Sequence, residues 1–162
     1  MDNPYSYELL PEYESGLKQL PQAKAPYWDG KAATCQVIRQ FCKDTPIVSP
    51  CRYPLCISRL VIVPKFAPGQ PKDDPEHGFR VCVDSLYNKC LTPVASTVRL
   101  ATDEIRKLHH CKYYLQVDGM NAFWAIPICE RSQRLSAFHT PDGVMCFNRL
   151  VMGSQPASTV QQ

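Results

Sequence analysis

The chain has 162 residues, 44% of them hydrophobic and 20% charged, which is enough for one domain with one core or a piece of a larger one, and is globular composition rather than that of a disordered chain. Its formal net charge of +3 is unevenly placed: residues 1–30 hold Asp2, Glu8, Glu12, Glu14 and Asp29 against Lys18 and Lys24, a net −3, which leaves +6 on residues 31–162. A mildly basic body is compatible with a polyanionic partner but does not require one.

Nine cysteines, at positions 35, 42, 51, 56, 82, 90, 111, 129 and 146, form no Cys-x-x-Cys pair. An odd number without that spacing argues against a disulfide framework and a zinc ribbon. They read as small hydrophobes of a protein in a reducing, intracellular compartment, cytoplasm or nucleus. No apolar run approaches the ~18 residues of a membrane span. The start MDNPYSYELL is acidic and lacks the basic-then-apolar order of a secretion signal, so neither membrane nor secretion is expected. His109-His110-Cys111 is a poor metal site, because adjacent residues at a helix end point in different directions.

In chain order, residues 1–30 scatter Pro4, Pro11, Pro21 and Pro26 among Tyr and Glu without a sustained period. They read as a poorly ordered N-terminal lead-in with a helical turn around Glu14–Leu20, either a linker or a segment that packs on a neighbour. Residues 31–44 predict a helix with Ala33, Val37, Ile38 and Phe41 on its apolar face, stopped by Pro46. Residues 46–54 are extended, since each proline pushes its predecessor out of the helical region. The β-branched run in 56–66 predicts a strand, 67–78 a solvated loop, and the alternation in FRVCVD (79–84) a second strand, together an antiparallel hairpin. Across it, Lys65 and Arg80 would lie near each other beside the loop. Taken alone, both read as surface charge.

Residues 85–97 predict a connecting loop, with Ser96 or Thr97 as a cap for a helix over 98–109 whose apolar residues are Ala101, Ile105 and Leu108. In Lys112–Ile128, KYYLQVDGMNAFWAIPI, Tyr113, Leu115 and Val117 alternate with Tyr114 and Gln116, which predicts a short central strand ending at Asp118. Gly119 and Asn121 mark a turn, and Phe123 and Trp124 follow. A carboxylate on a rigid strand end can hold a metal ion or poise a proton. Asp before Gly after an apolar run is, by itself, more often a turn former. An aspartic-protease reading fails, because that chemistry uses Asp followed by Ser or Thr and then Gly. A short helix in 130–138 then leads into a hairpin turned at Pro141-Asp142-Gly143, with Val144–Leu150 returning, and a last helix begins in 154–162. Strands and helices mix without regular βαβ alternation, so the fold class is α+β.

Four segments together resemble the reverse transcriptase of Ty3/gypsy-type LTR retrotransposons, over about Val37–Gln162. "SRLVIVPK" (58–65) is similar to the family's first fingers strand. "FRVCVDSLYNK" (79–89) is similar to Trp-Arg-x-Cys-Val-Asp-Tyr-Arg-x-Leu-Asn. "LHHCKYYLQVDGMNAFWAIPI" (108–128) is similar to Leu-x-x-Ala-x-Tyr-Phe-x-x-Leu-Asp-Leu-x-x-Gly-Phe-Trp-Gln-Ile. "LSAFHTPDGVMCFNRLVMG" (135–153) is similar to the Thr-Ala-Phe-x-Thr-x-x-Gly…Pro-Phe-Gly block. The resemblance implies fingers over about 31–95 and a partial palm over about 96–162, with antiparallel hairpins and flanking helices. It implies RNA-directed DNA polymerase chemistry in the intact parent, with Mg²⁺ or Mn²⁺, deoxynucleoside triphosphates and an RNA or DNA template-primer. The other expected partners are the remaining polyprotein domains: rest of palm, thumb, RNase H and integrase. Asp118 would be the catalytic carboxylate and first metal ligand, with the Gly119 carbonyl beside it. Lys65 and Arg80 would pair with the triphosphate, main-chain N–H groups of Gly119, Met120, Asn121 and Ala122 would face it, Phe123 would be the steric gate, and Gly153 would line the nucleotide and template side. Core packing is the other reading of Phe123 and Trp124, and Trp124 reads as core.

The family's Tyr-x-Asp-Asp element does not occur in these residues, so an incomplete metal site, weak metal binding and no activity of the chain alone are expected. "DSLYNK" is one residue shorter than its counterpart and has Leu86 at the arginine position, and Met152 stands where the family has an aromatic residue or Gln before Gly153. A host-retained nucleic-acid-binding or interaction module, or a non-functional retroelement remnant, is the alternative.

Overall fold

The computed structural model describes residues 3–65, 78–95, 101–115, 119 and 122–160. Helices α1 (Pro11–Glu14) and α2 (Ala32–Asp44) precede strands β1 (Val48–Pro50), β2 (Ile57–Pro64) and β3 (Phe79–Asp84). Then come a 3-10 turn (Leu86–Cys90), α3 (Ala101–Lys107), a second 3-10 turn (Ala122–Ala125), α4 (Glu130–Leu135), β4 (Ala137–Thr140), β5 (Gly143–Phe147) and α5 (Ala157–Val160). The class is α+β.

One five-stranded sheet runs in the order β1-β5-β4-β2-β3. Strand β1 ends on Pro50 and takes an edge, where a missing N–H costs no ladder bond. The β4–β5 hairpin turns over Pro141-Asp142, with Gly143 at φ 128° where a side chain would be strained. Only Ile57 and Ser58 of β2 pair with β4, in parallel. The rest of β2, from Arg59 to Pro64, pairs with β3 alone, so the β2–β3 hairpin projects from the sheet as an arm.

Helix α2 buries Cys35 and Ile38 and packs Phe41 and Cys42 on the core around Ile47, Phe138, Phe147 and Val151. The buried face therefore follows Cys35, Ile38 and Cys42, and Ala33 of the expected stripe is exposed. Two cysteines acting as small hydrophobes set the rotation of the helix. Arg39 on its outer side donates to both carboxylate oxygens of Asp142 at 2.8–3.1 Å, tying α2 to the β4–β5 turn and holding the Asp142 carboxyl below its ordinary value.

The first thirty residues have little regular structure, yet the lack of a period did not mean loose packing. Tyr5 pairs with Ile128, Leu9 with Leu91 and Gln22 with Ile57. Tyr7 is 2% exposed, its N–H donates to Ser132 Oγ at 2.8 Å, and its ring stacks on Tyr87, with centroids 5.4 Å apart. Residues 85–97, expected as a plain connecting loop, include the 3-10 turn that buries Tyr87 and Cys90. Buried Ser58 accepts the Leu86 N–H at 3.1 Å and locks that turn to β2.

Two further expectations meet the structure differently. Of the helix expected over 98–109, Ala101–Lys107 is helical as α3, 108–109 form a turn, and 98–100 lie outside the described residues. The central strand is not formed over Tyr113–Leu115, which is irregular and exposed, both Tyr113 and Leu115 at 91%. A strand needs a neighbour to take its backbone bonds, and no strand pairs with this stretch among the described residues. The expected loop over 67–78, the caps Ser96 and Thr97, and Gln116–Asp118 lie outside the described residues, Gly78 apart. No described helix is long and apolar enough to cross a membrane.

Tyr7→Ala is expected to lower unfolding stability by about 3–5 kcal/mol in urea titrations, the range for removing a buried ring. The Tyr7 hydroxyl is buried without a partner in hydrogen-bonding geometry, so Tyr7→Phe should hold or raise the midpoint. Alkaline pH tests the core from another side. Burial, then the neighbouring Tyr7, holds the Tyr87 phenol well above 10.0, and burial, then Cys90, pushes the Cys56 thiol from 9.0 to about 12. Both groups keep their protons longer folded than unfolded. Stability is full below about pH 9 and falls as pH rises toward about 12, so the urea midpoint should be lower at about pH 10.5 than at about pH 8. Tyr87→Phe should flatten part of that decline.

Candidate functional site

The arm places two of the expected site residues together. Arg80 pairs with Val63, and the Lys65 N–H donates to the Gly78 carbonyl at 2.7 Å, extending the ladder one step past β2. Side chains alternate along a strand, so Val63, Lys65 and Arg80 share one face, with Lys65 diagonal to Arg80. Both cations are exposed, and neither has an ion pair or side-chain hydrogen bond among the described residues. The opposite face of the arm turns Val81 and Phe79 toward Val37 and Phe41 of α2.

A second group forms around the turn at 119–125. The Ala122 N–H donates to the Gly119 carbonyl at 3.3 Å, and a Cβ at Gly119 would stand a tight 3.2 Å from that of Ala122. Phe123 is half-buried against the core that contains Ile128 and Leu150. Downstream, Pro127 pairs with Arg149 and the Leu150 N–H donates to Ile126 at 2.9 Å. That pairing carries Ala122 and Phe123 alongside the segment leading to Gly153. Asp118, Met120 and Asn121 lie outside the described residues. No hydrogen bond or ion pair joins the arm's cations to the 119–123 turn among the described residues.

Gly153 has φ 93°, the left-handed region, with Met152 exposed beside it. One residue that the sequence reading did not single out holds this turn. Asn88 donates through Nδ2 to the Gly153 carbonyl at 2.7 Å and accepts the Gln155 N–H on Oδ1 at 2.9 Å. Asn88 sits on the 3-10 turn that Ser58 anchors to the arm, so arm and Gly153 turn form one connected unit. The asparagine of "DSLYNK" was the available signal, but nothing local reveals a partner 65 residues away.

The donor chemistry available for a metal is limited. Among the described residues no group of three or more His, Cys, Asp or Glu side chains is placed to hold an ion. The Gly119 carbonyl is the one expected ligand that is described, and it already accepts the Ala122 N–H.

Comparison with solved structures places this architecture in a class. The chain is similar to the native prototype foamy virus protease-reverse transcriptase, at 20% identity and a TM-score of 0.61, covering 98% of this chain and 18% of that one. It is similar to the foamy viral protease-reverse transcriptase dRH in complex with double-stranded DNA, at 20% identity and a TM-score of 0.58, covering 98% and 24%. The same enzyme in complex with an RNA/DNA hybrid gives 18% identity and a TM-score of 0.57, covering 88% and 18%. The chain thus has a reverse-transcriptase-like fold and spans about a fifth of the length of those proteins. No protein-family model matches the sequence, and no curated protein matches it.

Asn88→Ala is expected to lower stability by about 1–2 kcal/mol through the loss of both bonds to the Gly153 turn. Gly153→Ala has open space around its new methyl but adopts a strained φ, for about 1–2 kcal/mol. Thermal melts of both variants and the double variant check this. A double loss smaller than the sum of the single losses is expected, because the two residues share one turn.

Proposed function

We propose that residues 31–162 are the first part of a Ty3/gypsy-class reverse transcriptase domain, with fingers over about 31–95 and the start of the palm over about 96–162. The parent reaction is RNA-directed DNA synthesis: a primer 3′-hydroxyl attacks the α-phosphate of a deoxynucleoside triphosphate in line, and pyrophosphate leaves. The observation that carries the reading is Asn88. It brings the "FRVCVDSLYNK" and "LVMG" segments into contact, and Ser58 adds "SRLVIVPK" to the same unit. The contact between these segments, scattered along the chain, supports reading them as parts of one site.

In this reading Lys65 and Arg80 bind the triphosphate as charge-assisted donors. Main-chain N–H groups over Gly119–Ala122, including Met120 and Asn121, face it. The Phe123 ring lies under the sugar and leaves no room for a 2′-hydroxyl. The Asp118 carboxylate and Gly119 carbonyl are hard oxygen donors of the type Mg²⁺ or Mn²⁺ takes. When bound, the ion supplies alignment and charge neutralisation at the phosphates. A pair of ions about 3.5–4 Å apart needs more carboxylates than Asp118 provides, and the Tyr-x-Asp-Asp element is absent from these 162 residues. The chain alone is therefore proposed to hold the ion weakly and to be inactive. Template-primer, the rest of the palm, thumb, RNase H and integrase are its partners in the parent.

Titration of the chain with a deoxynucleoside triphosphate tests the arm. Lys65→Ala and Arg80→Ala should each weaken binding by about tenfold, the size of one charge-assisted bond. Phe123→Ala should erase any preference over the matching ribonucleotide. Binding of single-stranded nucleic acid should weaken steeply with added salt. Affinities unmoved by both arm substitutions, or primer extension by the 162-residue chain, would count against the reading.

A further inference from the structure

A cleft of about 690 Å³ opens beside the second 3-10 turn, walled by Pro46, Ile47, Trp124, Gln133, Asn148 and Arg149 among others. Ligand clefts typically span about 300–1,000 Å³. Its lining combines groups that the proposed polymerase chemistry leaves unused. Trp124 is half-buried, packing on the core of Ile47, Phe138 and Phe147 while also lining the cleft. Asn148 spends its backbone on neighbouring segments, donating to Ile47 at 2.9 Å and accepting from Ile128 at 3.4 Å. Its carboxamide has no hydrogen bond among the described residues. Gln133 Nε2 donates to the Ile128 carbonyl at 3.0 Å, which leaves Oε1 open as an acceptor. Arg149 reaches only the Ala125 carbonyl, at 3.5 Å, and pairs with no carboxylate among the described residues. No described acidic side chain lines the cleft.

These groups select a ligand by chemistry. An aromatic side chain offers a stacking surface for a flat ring. Free amide donors and acceptors can read the ring's edge. A guanidinium with no carboxylate nearby attracts a phosphate. We propose that this cleft binds one unpaired nucleotide of a single-stranded nucleic acid, with its base on Trp124, its edge at Asn148 and Gln133, and its phosphate at Arg149. Within one 3-10 turn Phe123 packs on the core of Ile128 and Leu150 and Trp124 on the core of Phe147, and Ile128 also lines the cleft. The inference stands on the cleft alone and does not depend on polymerase activity.

Trp28 and Trp124 are the only tryptophans, so Trp28→Phe leaves Trp124 as the sole indole reporter. Titrating that protein with an oligodeoxyadenylate of about ten nucleotides should quench its emission saturably. Arg149→Gln and Asn148→Ala in the same background should each raise the apparent Kd about tenfold. Thermal melts accompany both. If Arg149→Gln melts early, Asn148→Ala decides, since its side chain makes no bond whose loss would unfold the chain. Three results would overturn the proposal: emission that does not respond, an apparent Kd that neither substitution moves, or equal competition by polyglutamate, which would make the cleft a site for acidic peptide. Quenching lost in Lys65→Ala but kept in Arg149→Gln would put the strand on the arm, sinking the cleft while sparing the arm's assignment.

Discussion

The contact on which the rest depends is made by Tyr7. The extended strap from Tyr5 to Leu9 lies between two segments that do not pair with each other, 127–129 on one side and 90–92 on the other. Its backbone bonds go first to one and then to the other: Tyr5 to Pro127 and Cys129, then Glu8, Leu9 and Leu10 to Cys90 and Thr92. Tyr7 occupies the middle, bonded through its N–H to Ser132 of α4 and stacked on Tyr87 of the first 3-10 turn. A buried backbone group without a partner is costly, so a segment that satisfies groups on two sides is held by both. The strap joins the arm and its 3-10 turn to α4 and the strand pair behind Phe123. Positions of Asn88 and the Gly153 turn relative to Phe123 are set through it.

The parts of this arrangement that could be read in the sequence are those with a local period. FRVCVD alternates in sequence, and its burial follows loosely: Val81 and Val83 are half-buried on the α2 side and Arg80 and Asp84 exposed on the other, while Phe79 is exposed and Cys82 half-buried. The β4–β5 turn was legible because Gly143 supplies a positive φ that other residues resist. The strap has no such contrast. Its partners lie some eighty or more residues away, and it takes bonds on both sides, so polar and apolar positions do not alternate. The turn over Leu86–Cys90 resembled a loop for a related reason: Tyr87 and Cys90, three apart, are both buried in a stretch too short to show a period. Lys65, Arg80, Phe123 and Gly153 stood out in the sequence as residue types. The Asn88 carboxamide, which ties the first 3-10 turn to the Gly153 turn, did not, because a side chain bonding across the fold leaves no local trace.

The stretch Tyr113–Leu115 shows the converse failure. Its residues have the right propensity for a strand, and propensity describes how side chains fit a pleated surface once that surface exists. With no ladder among the described residues, Tyr113 and Leu115 stand in solvent. Ile105 and Leu108 of the preceding helical segment are exposed too, although their spacing is that of a buried stripe. Period and composition were read correctly there. What they could not supply is the surface against which the stripe would be buried.

The arm explains why two cations can share a face at the expected triphosphate end. Diagonal neighbours across a ladder are about 7–8 Å apart. Two unit charges at about 7 Å repel by only about 0.6 kcal/mol in water, but by several times more where the dielectric falls. Within the sheet, beside Phe138 and Ala137, that pairing would oppose folding. Because β2 leaves the sheet after Ser58, the ladder continues into solvent, and Lys65 and Arg80 sit where their repulsion is weakest. The short pairing of β2 with β4 thus lets the ladder carry both cations out into solvent, where their repulsion costs little.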